Sequence, residues 1–314
     1  MTKEKIVIFG SINFDLFADI KRIPFPGETL ESENFRTGYG GKGANQAVAA
    51  ARLTETMEVE MVGRVGDDYF GKLLLGNFHE NNIGYSRVTV ASEESSGVAI
   101  ILIDSDAQNY ILPIYGPNLN LGQHEIESAF QLLPSTKVLL TQQEVPIEAT
   151  LAVAKVATSL GVVVIHDPAP TKEGCTDLLP YVDFILPNQV EAQGISGIKV
   201  TDVKTAELAA LAIKDLGARS VIIKLGGNGC YVDSHGIQNH FPAPVVHPIN
   251  TAGAGDVFAG AFAIAIAENM DVTQAITFAN KAAAISVTKD GIQESMPTRN
   301  ELNQWPSQQF TNKY

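Results

Sequence analysis

The chain has few cysteines and few basic residues, and both shortages limit what it can do. Cys175 and Cys230 are its only cysteines, and they form neither a CxxC pair nor a metal-ligand spacing, so we expect two small buried residues. Lysine and arginine number 22 against 35 acidic residues, which gives a formal net charge of −13. Because binding to a nucleic-acid backbone depends on clustered basic residues, this charge argues against a nucleic-acid partner. Backbone amides and Mg²⁺ could still hold a single nucleotide.

Long hydrophobic runs are also missing. No segment reaches the roughly 18 uninterrupted apolar residues that a membrane span requires. The N-terminal stretch "MTKEKIVIFGS" passes from charged residues directly into a predicted strand. We therefore expect a cytoplasmic protein with no membrane partner. Since 45% of its residues are hydrophobic, the chain should bury a large core, which favours one domain over residues 1–314.

The hydrophobic pattern is that of an α/β protein, because short β-branched runs alternate with longer helical stretches. The predicted strands are "KIVIFG", "VEMVGRVG", "KVLLTQQE", "VVVIHDPA", "DFILPN" and "SVIIKLGG". The predicted helices include "DDYFGKLLLGNFHENN", "PIEATLAVAKVATSLG" and "TAELAALAIKDLG". We expect a doubly wound, mostly parallel sheet with its ligand crevice at the carboxyl ends of the strands.

Two stretches, at about 14–38 and 97–118, contain strand and turn residues but no helix between them. Such stretches predict a small β-sheet that forms a lid over the crevice.

A run of small residues precedes one acid in "INTAGAGDVFAGAFAIAIAENM", residues 249–270. The apolar part predicts a helix buried on nearly all sides. Gly253, Ala254 and Gly255 would leave the amides at its N-terminus uncovered, which suits an anion such as a transferring phosphoryl group. Asp256, beside these amides, is well placed to take a proton from an attacking hydroxyl. Alternatively, the small residues only permit close packing and Asp256 is an ordinary first-turn acid.

A second glycine cluster, "GYGGKGANQAVAAARL", starts at Gly38 and formally matches G-x-G-x-x-G. The dinucleotide fingerprint must directly follow the first strand, which ends far upstream at Gly10, so an oxidoreductase is not indicated. The cluster is not a Walker A loop either, because Gly43 stands where Ser or Thr would hold Mg²⁺. A glycine loop that opens a helix remains, with Lys42 and Asn45 as hydrogen-bond donors.

The stretch "GSINFD" ends the first predicted strand and places Asn13 and Asp15 on one face. An amide and a carboxylate suit a polyhydroxylated ligand, since its hydroxyls both donate and accept hydrogen bonds. A simple Asx turn after the strand is the alternative.

Together these motifs resemble the ribokinase (PfkB-type) family of carbohydrate kinases. The resemblance rests on "GSINFD", "PGET", "GGKGANQAVAAARL", "VGRVGDDYFG", "ILPNQVEA", "KLGGNGCYV" and "NTAGAGDVFAG", in that order, and covers about residues 5–300. It implies the ribokinase-like α/β fold. Joint occurrence of the "GAGD" and "GGKGAN" motifs is far more restrictive than either motif alone.

The resemblance also implies roles for individual residues. The sugar site would comprise Asn13, Asp15, Gly41, Lys42, Gly43, Asn45, Glu144 and Asp256. Asp256 would be the catalytic base, with Gly253 and the amides of Ala254, Gly255 and Asp256 as the anion hole. The ATP site would comprise Asn188, Glu191, Lys224, Gly226, Gly227, Gly229, Gly255 and Asn280. Within it, Asn188 and Glu191 would act on Mg²⁺ and phosphate through water.

Two residues depart from the family pattern. Asn250 stands where the family commonly has Asp, in an activating K⁺ site that would map near Asn250, Ala252, Ser286, Lys289, Gly291 and Ser295. Asn supplies no full negative charge, so we expect K⁺ activation to be weakened. Lys224 replaces a smaller polar residue in the nucleotide loop; it could contact phosphate or extend into solvent, and we favour extension into solvent.

The function implied by the resemblance is transfer of the ATP γ-phosphoryl group to the 5-hydroxyl of D-ribose, by a homodimer formed through the lid. Kinases for 2-deoxyribose, fructose or adenosine remain open as alternatives. A catalytically silent sugar-binding regulator is a further alternative, because Asn250 alters the site.

Overall fold

The structure is a computed structural model that describes residues 4–32, 34–106 and 108–306. Both ends of the predicted domain, 1–3 and 307–314, lie outside the described residues. The strands are β1 (Lys5–Phe9), β2 (Asn13–Asp19), β3 (Asn34–Gly40), β4 (Glu58–Gly66), β5 (Gly84–Ala91), β6 (Gly97–Ile103), β7 (Asn109–Ile114), β8 (Thr136–Thr141), β9 (Val163–His166), β10 (Phe184–Ile185), β11 (Val221–Lys224), β12 (Cys230–Ser234) and β13 (Ile237–Phe241). The α-helices are α1 (Lys42–Leu53), α2 (Tyr69–Glu80), α3 (Gln123–Leu132), α4 (Ile147–Ser159), α5 (Cys175–Leu178), α6 (Gln189–Ser196), α7 (Val203–Asp215), α8 (Ala254–Ala267), α9 (Val272–Ser286) and α10 (Arg299–Gln304).

The larger sheet has the order β13-β12-β11-β10-β9-β8-β1-β4-β5. Neighbours from β11 to β5 are parallel, and β12 and β13 add an antiparallel hairpin at one edge. The central strand β1 shows why its sequence is a continuous apolar run: Ile6 and Ile8 belong to one core and Val7 and Phe9 to the other. A strand covered on both faces needs apolar residues at every position.

Helices cover both faces of this sheet. The first core contains buried residues of α1, α2, α8, α9 and α10, and the second contains residues of α3, α4, α5, α6 and α7. Helix α8 is buried on nearly all sides, as its uncharged sequence predicts. The doubly wound, mostly parallel α/β fold is therefore confirmed.

A smaller, separate sheet has the order β3-β2-β6-β7 and overlaps the two stretches predicted to form a lid. Strand β2 begins at Asn13, directly after the end of β1, so the polar residues of "GSINFD" lie where the chain passes from one sheet to the other. One face of the small sheet exposes apolar side chains, among them Phe35, Ile100, Leu112 and Ile114.

Four strands of the larger sheet differ from the sequence prediction: β10, β5, and the hairpin of β12 and β13, which the sequence analysis does not predict. The predicted strand "DFILPN" contains only the two-residue β10, and β5 was not predicted because its sequence, GYSRVTVA, is interrupted by polar residues. Within the described ranges, no helix combines the length and apolar character needed to cross a membrane.

Candidate active site

The glycine-rich stretch before α8 forms an exposed helix N-terminus. Gly253 precedes the helix at φ 76°, a left-handed conformation that favours glycine. A Cβ there would lie 2.8 Å from Ile292 Cγ2, so space also requires glycine. The amide of Ala254 donates to the Thr251 carbonyl at 3.3 Å. The amides of Gly255 and Asp256 lie in the first turn, where a helix supplies no acceptor.

Asp256 lies in this first turn with only 5% of its surface exposed. Its carboxylate accepts hydrogen bonds from Asn45 Nδ2 at 3.0 Å and from Gln46 Nε2 at 3.1 Å. Lys42 Nζ is 4.0 Å from Asp256 Oδ1. Burial raises the pKa of Asp256 above its ordinary value, and Lys42 opposes that shift. A buried carboxylate with a raised pKa is suited to accept a proton.

A chain of buried amides orients both donors to Asp256. Gln142 Nε2 donates to Gln46 Oε1 at 2.6 Å, which turns the Gln46 NH₂ group toward the acid. Asn77 donates to Gln293 at 2.8 Å, and Gln293 donates to Asn45 Oδ1 at 2.9 Å. Since the amide oxygens of Gln46, Asn45 and Gln293 are occupied, the NH₂ groups of these three residues must face the next acceptor.

The residues predicted to bind sugar lie next to Asp256, at the carboxyl end of β1. Asn13 and Asp15 are 3% and 5% exposed. Asn13 Oδ1 accepts a hydrogen bond from Asn118 Nδ2 at 2.8 Å, so Asn118 fixes the orientation of that amide. Glu144 accepts hydrogen bonds from Ser11 Oγ at 2.5 Å and from the Lys42 amide at 3.0 Å.

Close approach explains the glycines of the loop before α1. Gly41 has φ 83°, and a Cβ there would lie 2.6 Å from the Asn13 amide nitrogen. A Cβ on Gly43 would lie 2.7 Å from the Ser11 backbone. Any side chain at these positions would push α1, and with it Lys42, away from β1.

A cavity of about 680 Å³ lies on the other side of Asp256. All the residues predicted to bind ATP line it: Asn188, Glu191, Lys224, Gly226, Gly227, Gly229, Gly255 and Asn280. Its wall also includes Lys42, Gly253, Ala254 and Asp256. The cavity therefore meets the predicted sugar pocket at the acid and its neighbouring amides.

Asn188 and Glu191 form the N-terminal cap of α6. The Asn188 side chain accepts from the Glu191 amide at 2.9 Å, and Glu191 accepts from the Asn188 amide at 2.7 Å and from Asn188 Nδ2 at 2.8 Å. Burial raises the pKa of Glu191. The carboxylate oxygens are the ligand type that Mg²⁺ prefers, and each keeps a free lone pair for a metal-bound water. These residues thus fit a nucleotide-bound Mg²⁺.

The expectation that Lys224 extends into solvent is wrong. Its side chain is only 13% exposed, and its Nζ forms an ion pair with Asp167 Oδ1 at 2.7 Å. Asp167 is 1% exposed, and a buried carboxylate requires a cation or several hydrogen-bond donors. Lys224 therefore turns inward along the cavity wall.

The segments predicted to hold K⁺ lie side by side. The amides of Ile249 and Asn250 donate to the Val287 carbonyl at 2.7 and 3.3 Å, which joins the loop before α8 to the end of α9. Asn250 Oδ1 accepts from the Ala252 amide at 2.9 Å, and Asn250 Nδ2 donates to Asp290 at 3.3 Å. The hydroxyls of Ser286 and Ser295 donate to nearby carbonyls, and Gly291 is left-handed at φ 88°. The Lys289 ammonium pairs with Glu301 and has no lone pair, so Lys289 can offer a cation only its backbone carbonyl.

Sequence reasoning missed Asp167, Gln46, Gln142, Asn118 and Gln293. A signal existed for Asp167, which directly follows β9 at the carboxyl edge of the sheet, where the ligands of such sheets bind. The amides carried no such signal, because the side chains they contact in this network are 96 to 248 positions away in the chain.

Comparisons with known proteins agree with this geometry. The profile of the "pfkB family carbohydrate kinase" matches residues 3–299. Ribokinase of Haemophilus influenzae is 36% identical, over 95% of this chain and 97% of the relative. Deoxyribokinase of Salmonella typhi is 34% identical, over 96% of this chain and 98% of the relative. The structure of Arabidopsis thaliana ribokinase complexed with ribose and ATP superposes with a TM-score of 0.89 at 29% identity, over 96% of this chain and 98% of that one.

Proposed function

Because this chain belongs to the pfkB family of carbohydrate kinases and is an ATP-dependent sugar kinase, we propose that it phosphorylates the 5-hydroxyl of D-ribose. The observation that carries the proposal is the position of Asp256. Its buried carboxylate separates a polar pocket containing Asn13 and Asp15 from a cavity lined by glycines and a helix N-terminus. A sugar hydroxyl and a terminal phosphate can meet only at such a boundary.

The reaction forms one bond and breaks one. The ribose O5 oxygen attacks the γ-phosphorus, the O5–P bond forms, and the bond from that phosphorus to the bridging oxygen of ADP breaks. The hydroxyl proton passes to the Asp256 carboxylate. The backbone amides of Gly255 and Asp256 donate hydrogen bonds to the oxygens of the transferring group. The Ala254 amide, which donates to the Thr251 carbonyl at 3.3 Å, can do the same once that hydrogen bond breaks.

Lys42 and the cap residues complete the site. Burial lowers the pKa of the Lys42 ammonium, but the surrounding carboxylates, Asp256 first among them, raise it on balance, so Lys42 stays charged. It can therefore neutralise phosphate charge beside the acid. Asn188 and Glu191 would hold Mg²⁺ through water, and Mg²⁺ on the nucleotide supplies charge neutralisation. Gly226, Gly227, Gly229 and Asn280 would contact the nucleoside part of ATP.

K⁺ activation should be weak in this enzyme. Asn250 places an amide rather than a carboxylate at the predicted K⁺ site, and its Oδ1 already accepts a hydrogen bond from the Ala252 amide. Backbone carbonyls near Ala252, Ser286, Lys289 and Gly291 would supply the other ligands, with Ser295 close by. We expect little difference in turnover between K⁺ and Na⁺; a steep K⁺ dependence would contradict this.

We also propose an oligomeric state and a cellular location for this kinase. The described chain would act as one domain whose small sheet, with the segments at about 14–38 and 97–118, closes over the sugar and excludes water. The exposed apolar residues of this sheet would pair two copies into a homodimer in the cytoplasm.

2-Deoxyribose is the second candidate acceptor, because a deoxyribokinase is nearly as similar to this chain as a ribokinase is. The two sugars differ by one hydroxyl, and a site built to hydrogen-bond that hydroxyl discriminates strongly against its absence.

An acceptor panel tests the proposal. Purified enzyme with Mg·ATP is offered ribose, 2-deoxyribose, fructose and adenosine, in K⁺ and in Na⁺, and ADP and sugar phosphate are measured. We expect kcat/KM for ribose to exceed that for every other acceptor. A higher value for another acceptor would overturn the substrate assignment while leaving the kinase intact.

A further inference from the structure

The ion pair between Lys224 and Asp167 lies in the wall of the nucleotide cavity and has no role in the mechanism above. The two groups are 2.7 Å apart, and their side chains are 13% and 1% exposed. Asp167 Oδ2 also accepts a hydrogen bond from Gln46 Nε2 at 2.9 Å. The same Gln46 NH₂ group donates to Asp256, so one amide joins the two acids.

The Lys224 ammonium points toward the helix N-terminus that receives the phosphoryl group. A Cβ placed on Gly255 would lie 3.5 Å from Lys224 Nζ, an ordinary contact distance, so the ammonium lies beside the first turn of α8. The Lys224 backbone is fixed as well, because its amide donates to the Pro187 carbonyl at 2.8 Å. The lysine therefore starts from a rigid position at the end of β11.

The ammonium has unused donors. Among the described residues it forms one hydrogen bond, to Asp167, and an ammonium has three N–H groups. A buried ion pair adds little to the stability of a fold, since the free energy needed to remove two charges from water is about as large as the free energy of their attraction. A cation in a cavity wall, anchored on one side and open on the other, is instead the arrangement used to bind phosphate.

We propose that Lys224 is a catalytic residue that donates to the oxygens of the transferring phosphoryl group, and that Asp167 is the positioning residue that holds its ammonium beside Gly255. This proposal rests on the proposed function, since it takes the N-terminus of α8 as the phosphoryl site. Lys42 approaches the acid at 4.0 Å, and Lys224 approaches the neighbouring Gly255. The transferring group would thus contact two ammonium groups. No proton moves to or from Lys224, which acts by charge alone.

The first test is binding, measured by calorimetry without sugar. A nonhydrolysable ATP analogue carries the terminal group that Lys224 would contact, and ADP lacks it. Lys224→Met should weaken analogue binding at least about 10-fold, because a charge-assisted hydrogen bond is lost, and change ADP binding less than about 3-fold. Lys224→Arg, which keeps the charge, should recover most of the loss. Equal losses for both nucleotides, or none for either, would overturn the proposal.

The second test separates a positioning role from a structural one. Lys224→Met should lower kcat about 100-fold, and Asp167→Asn about 10-fold, because Asp167 acts through the lysine. The double variant Asp167→Asn/Lys224→Met should have the kcat of Lys224→Met alone, since removing the anchor matters only while the lysine is present. The double variant leaves no unpaired buried charge and should fold even if a single variant does not. The proposal would be refuted if the loss of kcat in the double variant equalled the product of the two single losses. It would also be refuted if the variants lost thermal stability but kept their kcat.

Failure of this proposal and failure of the substrate assignment give different results. If the enzyme prefers another sugar, the binding results with the ATP analogue and ADP are unaffected and kcat is measured with that sugar. If Lys224 has no role at the phosphoryl group, the wild-type enzyme is still expected to phosphorylate ribose.

Discussion

Asp15 is the side chain whose environment most directly predicts a pH effect. Burial, followed by the charge of Glu144, raises its pKa to about 7. An ionised carboxylate accepts more hydrogen bonds from sugar hydroxyls than a protonated one does. Ribose should therefore bind best above that pKa and less well below it.

We predict that KM for ribose rises up to about 10-fold as the pH falls from about 8 to about 6, since a group with a pKa of about 7 loses most of its charge in that interval. Steady-state kinetics across this range measure it. In Asp15→Asn, KM should be high and constant; a pH-dependent KM that persists in this variant would assign the effect to another group.

Asp256 and Lys224 show what residue-level sequence reasoning could and could not supply. The acid was identified because its neighbours in the chain, Gly253 to Gly255, already define the helix N-terminus. Lys224 was assigned the wrong direction, because its partner Asp167 is 57 positions away and nothing in the sequence indicates that these two residues pair. Local motifs thus predict local geometry, whereas long-range charge pairs need the fold.

Helix α8 is the element on which the mechanism depends most. Two features of its N-terminus favour glycine at position 253. The backbone there is left-handed, with φ 76°, and a Cβ would lie too close to Ile292. A glycine in an ordinary helix has neither requirement. Gly76 in α2 is exposed, has no positive φ, and a Cβ there would meet nothing within 4 Å.

We predict that Gly253→Ala lowers kcat about 100-fold by moving the amides, and lowers the free energy of unfolding by about 1–3 kcal/mol. Gly76→Ala is the control and should raise the free energy of unfolding by about 0.5–1 kcal/mol with unchanged kcat. Denaturant unfolding and initial rates measure both. Near-normal turnover in Gly253→Ala would show that the α8 amides are not the anion site.

The elements themselves were largely predictable. Mostly apolar runs identified β1, β4, β8, β9 and β11, because a parallel sheet covered on both faces leaves few positions for polar side chains. Strand β5 lies at the edge of the sheet, and its partly exposed face breaks that pattern. The predicted strand around β10 is longer than the observed one, since buried apolar residues such as Leu186 continue past the last ladder pair.

Among the described residues, nothing covers one apolar face of the small sheet. Strand β7 exposes Tyr110, Leu112 and Ile114 on this face, with Leu112 53% exposed. A contiguous exposed apolar surface of this kind marks an interaction site. A second copy of the same sheet is the partner that the proposed homodimer supplies.

We predict that Leu112→Lys shifts the protein from dimer to monomer, because two lysines would be buried against each other across a two-fold interface. Leu208→Lys is the control: Leu208 is 48% exposed on α7, outside the small sheet, and its replacement should leave the dimer intact. Sedimentation velocity distinguishes the species. A wild-type protein that is monomeric at micromolar concentration would contradict the assembly.

In the proposed mechanism, Asp256 removes the proton from the 5-hydroxyl of ribose. The most direct measurement follows ¹³C-labelled ribose with Mg·ATP by NMR in wild type and in Asp256→Asn, which keeps the shape of the side chain. We expect phosphorylation at O5 by the wild type and a rate about 10³-fold lower in the variant, with binding of the ATP analogue retained. Near-normal O5 phosphorylation by Asp256→Asn would contradict it.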